Sequence, residues 1–166
     1  MNHSIRDDFL LRQDWRLLNN GSFGACPKPV FEVYQRWQAE FEEHPGGFVG
    51  RWAELMLAAR TRLADYLHTD QSRLAFVTNA TMGVNAVTHS LRSWLKPGDE
   101  VLTTDHEYGA CNHAWQFNCQ KAGAHYINYP IELPIHSDED FIERFWAGVT
   151  ARTRVIYLSH TTSPTA

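Results

Sequence analysis

Residues 73–105 read RLAFVTNATMGVNAVTHSLRSWLKPGDEVLTTD. RLAFVT is a short apolar strand, TMGVNAVTHSLRSWL has the period of a helix with Val84, Val87, Leu91 and Leu95 on one face, KPGDE is a turn, and EVLTTD is a second strand. Two strands joined by a helix in so short a span make a βαβ unit, whose strands run parallel. The grammar continues downstream. GACNHAWQFNCQKAG is a helix, AHYINYP a strand, SDEDFIERFWAGV a helix, and TRVIYLSH the last strand. The third of these helices is capped by Ser137 or Asp138 and turns Phe141, Phe145 and Val149 inward. The expected fold is α/β, a mostly parallel, doubly wound sheet.

Upstream the pattern differs. Residues 1–16 are polar and charged and read as a flexible start, with residues 17–70 forming a loop and two helices before the α/β part at 71–166. The loop, NNGSFGACPKP, is rich in small residues that let backbone approach a neighbour closely. From Pro29, residues Val30, Val33, Tyr34, Trp37 and Phe41 line one helical face, which ends near His44-Pro45-Gly46-Gly47. A second helix is predicted from Arg51 to His68.

The composition bounds the function. With 166 residues, 43% hydrophobic and 20% charged, the chain has the balance of a globular domain with a real core. A net charge of −4 gives no electrostatic reason to expect nucleic acid or an anionic membrane as partner. Three cysteines, Cys26, Cys111 and Cys119, fit neither a disulfide framework nor a zinc spacing, and no signal peptide is evident, so a reducing, cytoplasmic setting is expected.

The turn Asn79-Ala80-Thr81 sits where a strand ends and a helix opens. The first N–H groups of a helix lack partners and its dipole favours negative charge, so small Ala80 and the Thr81 hydroxyl suit a phosphate ester. Neither GxxxxGK[ST] nor GxGxxG is present, which excludes a nucleotide P-loop and a dinucleotide fingerprint. The alternative is that Asn79 or Thr81 simply caps the helix. Two more strands end in polar or aromatic loops, His106-Glu107-Tyr108-Gly109 and Thr161-Thr162-Ser163-Pro164, and parallel topology places all three on one sheet edge. A phosphate donor, a flat ring and a hydroxyl facing one crevice are what a phosphorylated ring cofactor needs.

LNNGSFG, TNATMGVN, KPGDEVLTTDHEYGA and RVIYLSHTTSPTA, in that order, resemble the amino-terminal part of the class V aminotransferases, and most of all their isopenicillin N epimerase-like and cysteine desulfurase-like subgroups. The resemblance implies the fold of the pyridoxal-phosphate transferase large domain and an amino-acid substrate, with epimerase, aminotransferase or desulfurase/desulfhydrase chemistry. It also implies a homodimer. Ala80 and Thr81 would hold the cofactor phosphate with Asn79 shaping the turn. Tyr108 would stack on the pyridine ring, and Ser163 would lie near its ring hydroxyl. Asn20 and Gly21 would border the substrate, with Arg51 a partner for its carboxylate.

The family needs a lysine that binds the cofactor covalently and an acid at the pyridine nitrogen, both downstream of SHTTSPT. The lysines here are Lys28, Lys96 and Lys121, each at a position where lysine is normally solvated. No catalytic residue is therefore assigned, and the chain is expected to be the first part of a longer enzyme. Two other readings stand beside this one. One is a non-catalytic protein, either a truncated remnant that folds poorly or a module that binds phosphate esters or dimerises. A metal hydrolase would use Asp105, His106, Glu107 and His113, although HExxH is absent. His160 is left without a role.

Overall fold

The computed structural model describes residues 4–165, in two compact units that divide between Ala75 and Phe76. The first unit is helical. After a 3-10 turn at Ile5–Asp8 come α1 (Asn20–Phe23), α2 (Lys28–Glu43), α3 (Pro45–Gly50) and α4 (Trp52–Leu67), then a 3-10 turn at Gln71–Arg73. Two helices were expected here, and both are present. The small-residue loop also closes one helical turn, α1, because the Asn19 side chain accepts from Ser22 N at 3.1 Å. The first long helix stops at Glu43, as the His44-Pro45 signal implied, and Pro45 then opens a further short helix, α3: proline's fixed φ and missing N–H suit a first helical position. Phe48 of α3 is buried with the rings of Trp37 and Phe41 edge-on to it, at 5.8 and 5.5 Å between centroids. The starting residues are tied to α2 by a bridge between Phe9 and Pro27 and by Lys28 Nζ donating to Asp7 O at 2.7 Å.

The second unit carries the sheet. Its elements are α5 (Ala80–Arg92), β1 (Glu100–Thr104), α6 (Gly109–Ala122), β2 (His125–Tyr129), α7 (Asp138–Trp146) and β3 (Thr153–Ile156). The strands run parallel in the order β2-β1-β3, with Val101 opposite Tyr126 and Val155, and Leu102 opposite Ile127 and Ile156. β1 is buried along its whole length, as a central parallel strand covered on both faces must be. Alternation divides its side chains between two cores. Val101 packs with Leu95, Trp115, Cys119 and Ala124 under α5 and α6, and Leu102 packs with Ile131 and Phe145 under α7. Helices therefore cover both faces of the sheet, as the doubly wound reading requires. Burial pushes the Cys119 thiol up to about 11, so it behaves as an apolar core group.

The expected first strand, RLAFVT, is absent as a strand. Leu74 has extended backbone (φ −110°, ψ 135°), but no ladder forms there among the described residues, and Phe76 and Val77 are half exposed. Extended backbone becomes a strand only when a neighbour completes its hydrogen bonds, and none lies alongside. A second correction concerns α5. Its inward stripe is Val84, Thr88 and Leu91, continued by Leu95 just past its end, while Val87 is exposed. Val87 lies about 60° round the helix from Val84, at the stripe's margin. The hydroxyl of Thr88 fits the inward position because it accepts from Asn118 Nδ2 of α6 at 3.1 Å. That bond aligns the two helices.

Turn chemistry fixes the remaining geometry. Gly123 ends α6 at φ +72° and accepts at its carbonyl from Gly98 N at 2.9 Å, with Gly98 itself at φ +85°. Ser137 caps α7 as expected, accepting from Asp140 N at 3.2 Å. Gly148, past the end of α7, is pressed against the Tyr129 ring, and an added Cβ would lie 2.5–2.9 Å from three ring atoms. Gly148→Ala is expected to cost about 1–3 kcal/mol by overpacking, read as a lower denaturant midpoint at unchanged m. An unchanged midpoint would mean that Tyr129 moves aside freely.

Candidate functional site

Topology sets the edge on which the site lies. α5 runs back against the sheet to feed β1, and α6 leaves β1 at its carboxyl end, so both helices open at the carboxyl edge. The loop after β3 begins on the same edge. At the start of α5, Asn79 Oδ1 accepts from Met82 N at 2.9 Å, and Asn79 O accepts from Gly83 N at 3.1 Å. Asn79 is thus a helix cap, as the plainer reading held. The cap occupies the third N–H of the helix and leaves those of Ala80 and Thr81, the first two, facing outward. No side-chain bulk at Ala80 obstructs them. These two donors at the positive end of a 13-residue helix, with the Thr81 hydroxyl beside them, suit a phosphate ester.

Tyr108 is the residue before α6, with extended backbone (φ −64°, ψ 131°) and a ring 49% exposed. An exposed flat ring at the same edge is available for stacking. Its backbone N–H donates to Glu107 Oε1 at 2.7 Å. Glu107 is only 6% exposed and turns under the edge, where Ser159 Oγ, beyond β3, donates to its two carboxylate oxygens at 2.8 and 3.0 Å. Asn112 adds a second tie. Its N–H and side-chain amide reach back to Tyr108 O (2.9 Å) and Glu107 O (3.3 Å), and its Oδ1 accepts from Tyr126 Oη (2.7 Å) and Asn128 Nδ2 (2.9 Å) of β2. Burial, and then the Glu107 charge, hold the Tyr126 hydroxyl above its usual range, so it stays a neutral donor. Tyr157 is raised in the same direction by burial first, then Cys111, then Glu107.

Ser163 is exposed in the turn after β3. A cavity of about 640 Å³ opens beside it on the α7 face, lined by His106, Ile131, Asp138, Phe141, His160 and Thr162 among others. Asn79, Ala80, Thr81, Tyr108 and Ser163 are not in its wall. Of the four candidate metal ligands, Asp105 and His106 stay together, with His106 Nε2 3.4 Å from Asp105 Oδ1, and the other two turn away. Asp105 accepts from Ile131 N at 3.0 Å, and His106 Nε2 donates to Ile131 O at 2.8 Å. Glu107 turns to Ser159, and His113 is exposed on α6. Among the described residues no three ligand-type side chains gather.

The remaining candidates belong to the first unit. Asn20 and Gly21 form the helical turn α1, and Arg51, between α3 and α4, pairs with the Glu40 carboxylate. Lys28 is held by the Asp7 carbonyl. In the second unit Lys96 lies in the turn before β1, and Lys121 lies over the Phe117 ring at the end of α6. Both are at the amino edge of the sheet, opposite the candidate site. The sequence reading weighed Glu107 only as a metal ligand and gave Ser159, Asn112, Tyr126 and Asn128 no role. The signal available was a glutamate directly before the ring residue at a strand-to-helix turn.

The sequence pattern of the aminotransferase class-V family matches residues 28–165. The chain belongs to the class-V aminotransferase family. Among the relatives of this class-V chain, isopenicillin N epimerase of Amycolatopsis lactamdurans is 35% identical over 151 residues, covering 89% of the chain and 37% of that protein. A probable chloroplastic L-cysteine desulfhydrase of Arabidopsis thaliana is 26% identical over 166 residues, covering 90% of the chain and 34% of that protein. The class-V chain thus spans a little over a third of these relatives' length. A C-DES mutant carrying glycine covalently linked to its pyridoxal-phosphate cofactor superposes with a TM-score of 0.82 at 21% identity, over 96% of this chain and 42% of that one. An apo cysteine desulfurase of Thermococcus onnurineus NA1 gives 0.76 at 20%, over 95% and 40%. At these identities the structures establish the fold, which is that of the pyridoxal-phosphate transferases. No helix among the described residues is long and apolar enough to cross a membrane.

Proposed function

We propose that this chain forms the phosphate-holding and ring-facing part of a pyridoxal-phosphate-dependent enzyme that acts on an amino acid, with epimerase, aminotransferase or desulfhydrase chemistry in the whole protein. The observation that carries the reading is the start of α5, where the Asn79 cap leaves the N–H groups of Ala80 and Thr81 outward on the edge that also carries Tyr108. Pyridoxal phosphate, when bound, supplies an electron sink for carbanion chemistry at the α-carbon of an amino acid. The chain's own contribution is binding and orientation. Ala80 and Thr81 hold the phosphate, Tyr108 covers one face of the ring and sheds water from it, and Ser163 borders the ring from the loop after β3. Asn20 and Gly21 are proposed to border the substrate. Arg51 would leave the Glu40 carboxylate to meet a substrate carboxylate.

A homodimer is part of the same proposal. Val30, Tyr34, Trp37 and Phe41 on α2 are substantially exposed, and an apolar face of that kind is the usual core of a subunit interface. The proposal places the chain in a reducing cytoplasm, in keeping with its three free cysteines.

Two ligands test the phosphate site: pyridoxamine phosphate, which has no aldehyde to react with stray lysines, and pyridoxamine. With two N–H donors and a hydroxyl on the phosphate, the phosphorylated ligand is expected to bind at least about a hundredfold more tightly. Equal affinities by equilibrium dialysis would remove the phosphate assignment. Because Lys96 and Lys121 lie at the far edge and Lys28 is held by the Asp7 carbonyl, the chain by itself is expected to turn over no amino acid when pyridoxal phosphate is added. Measured turnover would contradict that.

A further inference from the structure

The Glu107 side chain is buried where two neutral donors, the Tyr108 amide and the Ser159 hydroxyl, meet its carboxylate, at 2.7 Å and at 2.8 and 3.0 Å. Among the described residues it forms no ion pair. A buried carboxylate is costly unless its lone pairs are met, and a core position with no other duty would be filled more stably by an apolar side chain. What these bonds do is mechanical. One fixes the peptide that carries the Tyr108 ring, and the others fix the first turn of the loop after β3, 52 residues away. Asn112 holds the same peptide from the side of β2, through Tyr126 and Asn128. The start of α6 is thereby tied to all three strands, and the exposed ring of Tyr108 rises from a backbone with little freedom.

We propose that Glu107 is a positioning residue: its buried carboxylate locks the Tyr108 peptide to Ser159, so that the Tyr108 ring and the loop after β3 stand in fixed register on the edge that receives the flat ring of a phosphorylated pyridine. The proposal rests on the assignment of Tyr108 as a ring contact. Asn79, Ala80 and Thr81 have no bond to Glu107, so the phosphate site does not depend on it. Glu107 therefore governs ring recognition and leaves anion recognition alone.

That separation is what the experiment reads. The full chain is titrated with pyridoxamine phosphate and with inorganic phosphate, unaltered and as Glu107→Ala, Glu107→Gln and Ser159→Ala. The ratio of the two affinities reports the ring alone. Glu107→Ala leaves the Tyr108 N–H and the Ser159 hydroxyl unmet and is expected to lower pyridoxamine phosphate affinity about tenfold while inorganic phosphate stays within about twofold. Glu107→Gln keeps an oxygen for the Tyr108 N–H and an amide that the Ser159 oxygen can accept from, and is expected to restore most of the ratio. Ser159→Ala removes only the loop's half of the lock and is expected to fall between them, which keeps the proposal open to refutation if Glu107→Ala does not fold. The dichroism of the bound ring should weaken in the same order.

Equal weakening of both ligands in Glu107→Ala would make Glu107 a general stabiliser and overturn the proposal. So would an unchanged ratio in Ser159→Ala. If the unaltered chain binds pyridoxamine phosphate no better than inorganic phosphate, the Tyr108 ring contact itself is wrong and the proposal falls with it. A clear ring preference that survives every variant overturns the role of Glu107 alone.

Discussion

An Ala80→Asp chain is expected to bind pyridoxamine phosphate about a hundredfold more weakly than the unaltered chain, and to melt no lower. The two halves of that expectation have opposite signs because one charge acts on two partners. A carboxylate in the first turn of α5 complements the helix dipole, an effect worth about 0.3–1 kcal/mol in favour of the fold. The same carboxylate occupies the position at which the phosphate must approach the N–H groups of Ala80 and Thr81. Two unit charges about 4 Å apart repel by roughly 1 kcal/mol in water and about 4 kcal/mol at the effective dielectric of a protein surface. The middle of that range is about a hundredfold in affinity. Binding by dialysis and melting by circular dichroism read the two halves separately. If both fall together, Ala80 is a packing position and the start of α5 is not the phosphate site.

The largest expected loss of stability is at Trp115. It is 1% exposed, stacks on Tyr126 at 6.4 Å and tilts against Tyr157 at 5.6 Å, so it joins α6 to β2 and to the residue that follows β3. Trp115→Ala removes that packing and leaves a cavity, at an expected cost of about 3–5 kcal/mol. Against a total of about 5–15 kcal/mol for an ordinary domain this is a fifth or more, and a fall in Tm of roughly 6–20 °C. Trp115→Phe is expected to cost no more than about 1–2 kcal/mol. It keeps most of the stacked surface, and it removes an indole N–H that is buried without an acceptor among the described residues. Equal losses for the two variants would mean that the indole N–H is satisfied and the ring's full size is required.

The difference between what was legible in the sequence and what was not follows the range of the physics. Most strand and helix periods, the Ser137 cap and the turn at Gly98 are local, and they could be read directly. The doubly wound sheet followed from the alternation of elements, since parallel strands require crossovers on one face or the other. RLAFVT has a strand's residues but no neighbour to pair with, and pairing cannot be read from one strand. Val87 was assigned inward because it is apolar, yet Thr88 took that place through a bond to Asn118, thirty residues away. The candidate site divides in the same way. Asn79, Ala80 and Thr81 announce themselves as a helix start, although the strand expected before them does not form. Glu107 was visible only as a ligand-type residue, because its partner Ser159 lies far along the chain. The resemblance to the class-V aminotransferases supplied the cofactor, which composition and spacing had narrowed only to a flat phosphorylated ring.

The most direct measurement is the amide NMR spectrum of the chain during a titration with pyridoxamine phosphate. The account predicts that the largest shifts fall on the amides of Ala80 and Thr81, with a second group at Tyr108 and in the loop from Ser159 to Ser163, and that inorganic phosphate moves only the first group. Shifts centred instead on the cavity wall at Ile131, Phe141 and His160, with Ala80 and Thr81 unmoved, would contradict it.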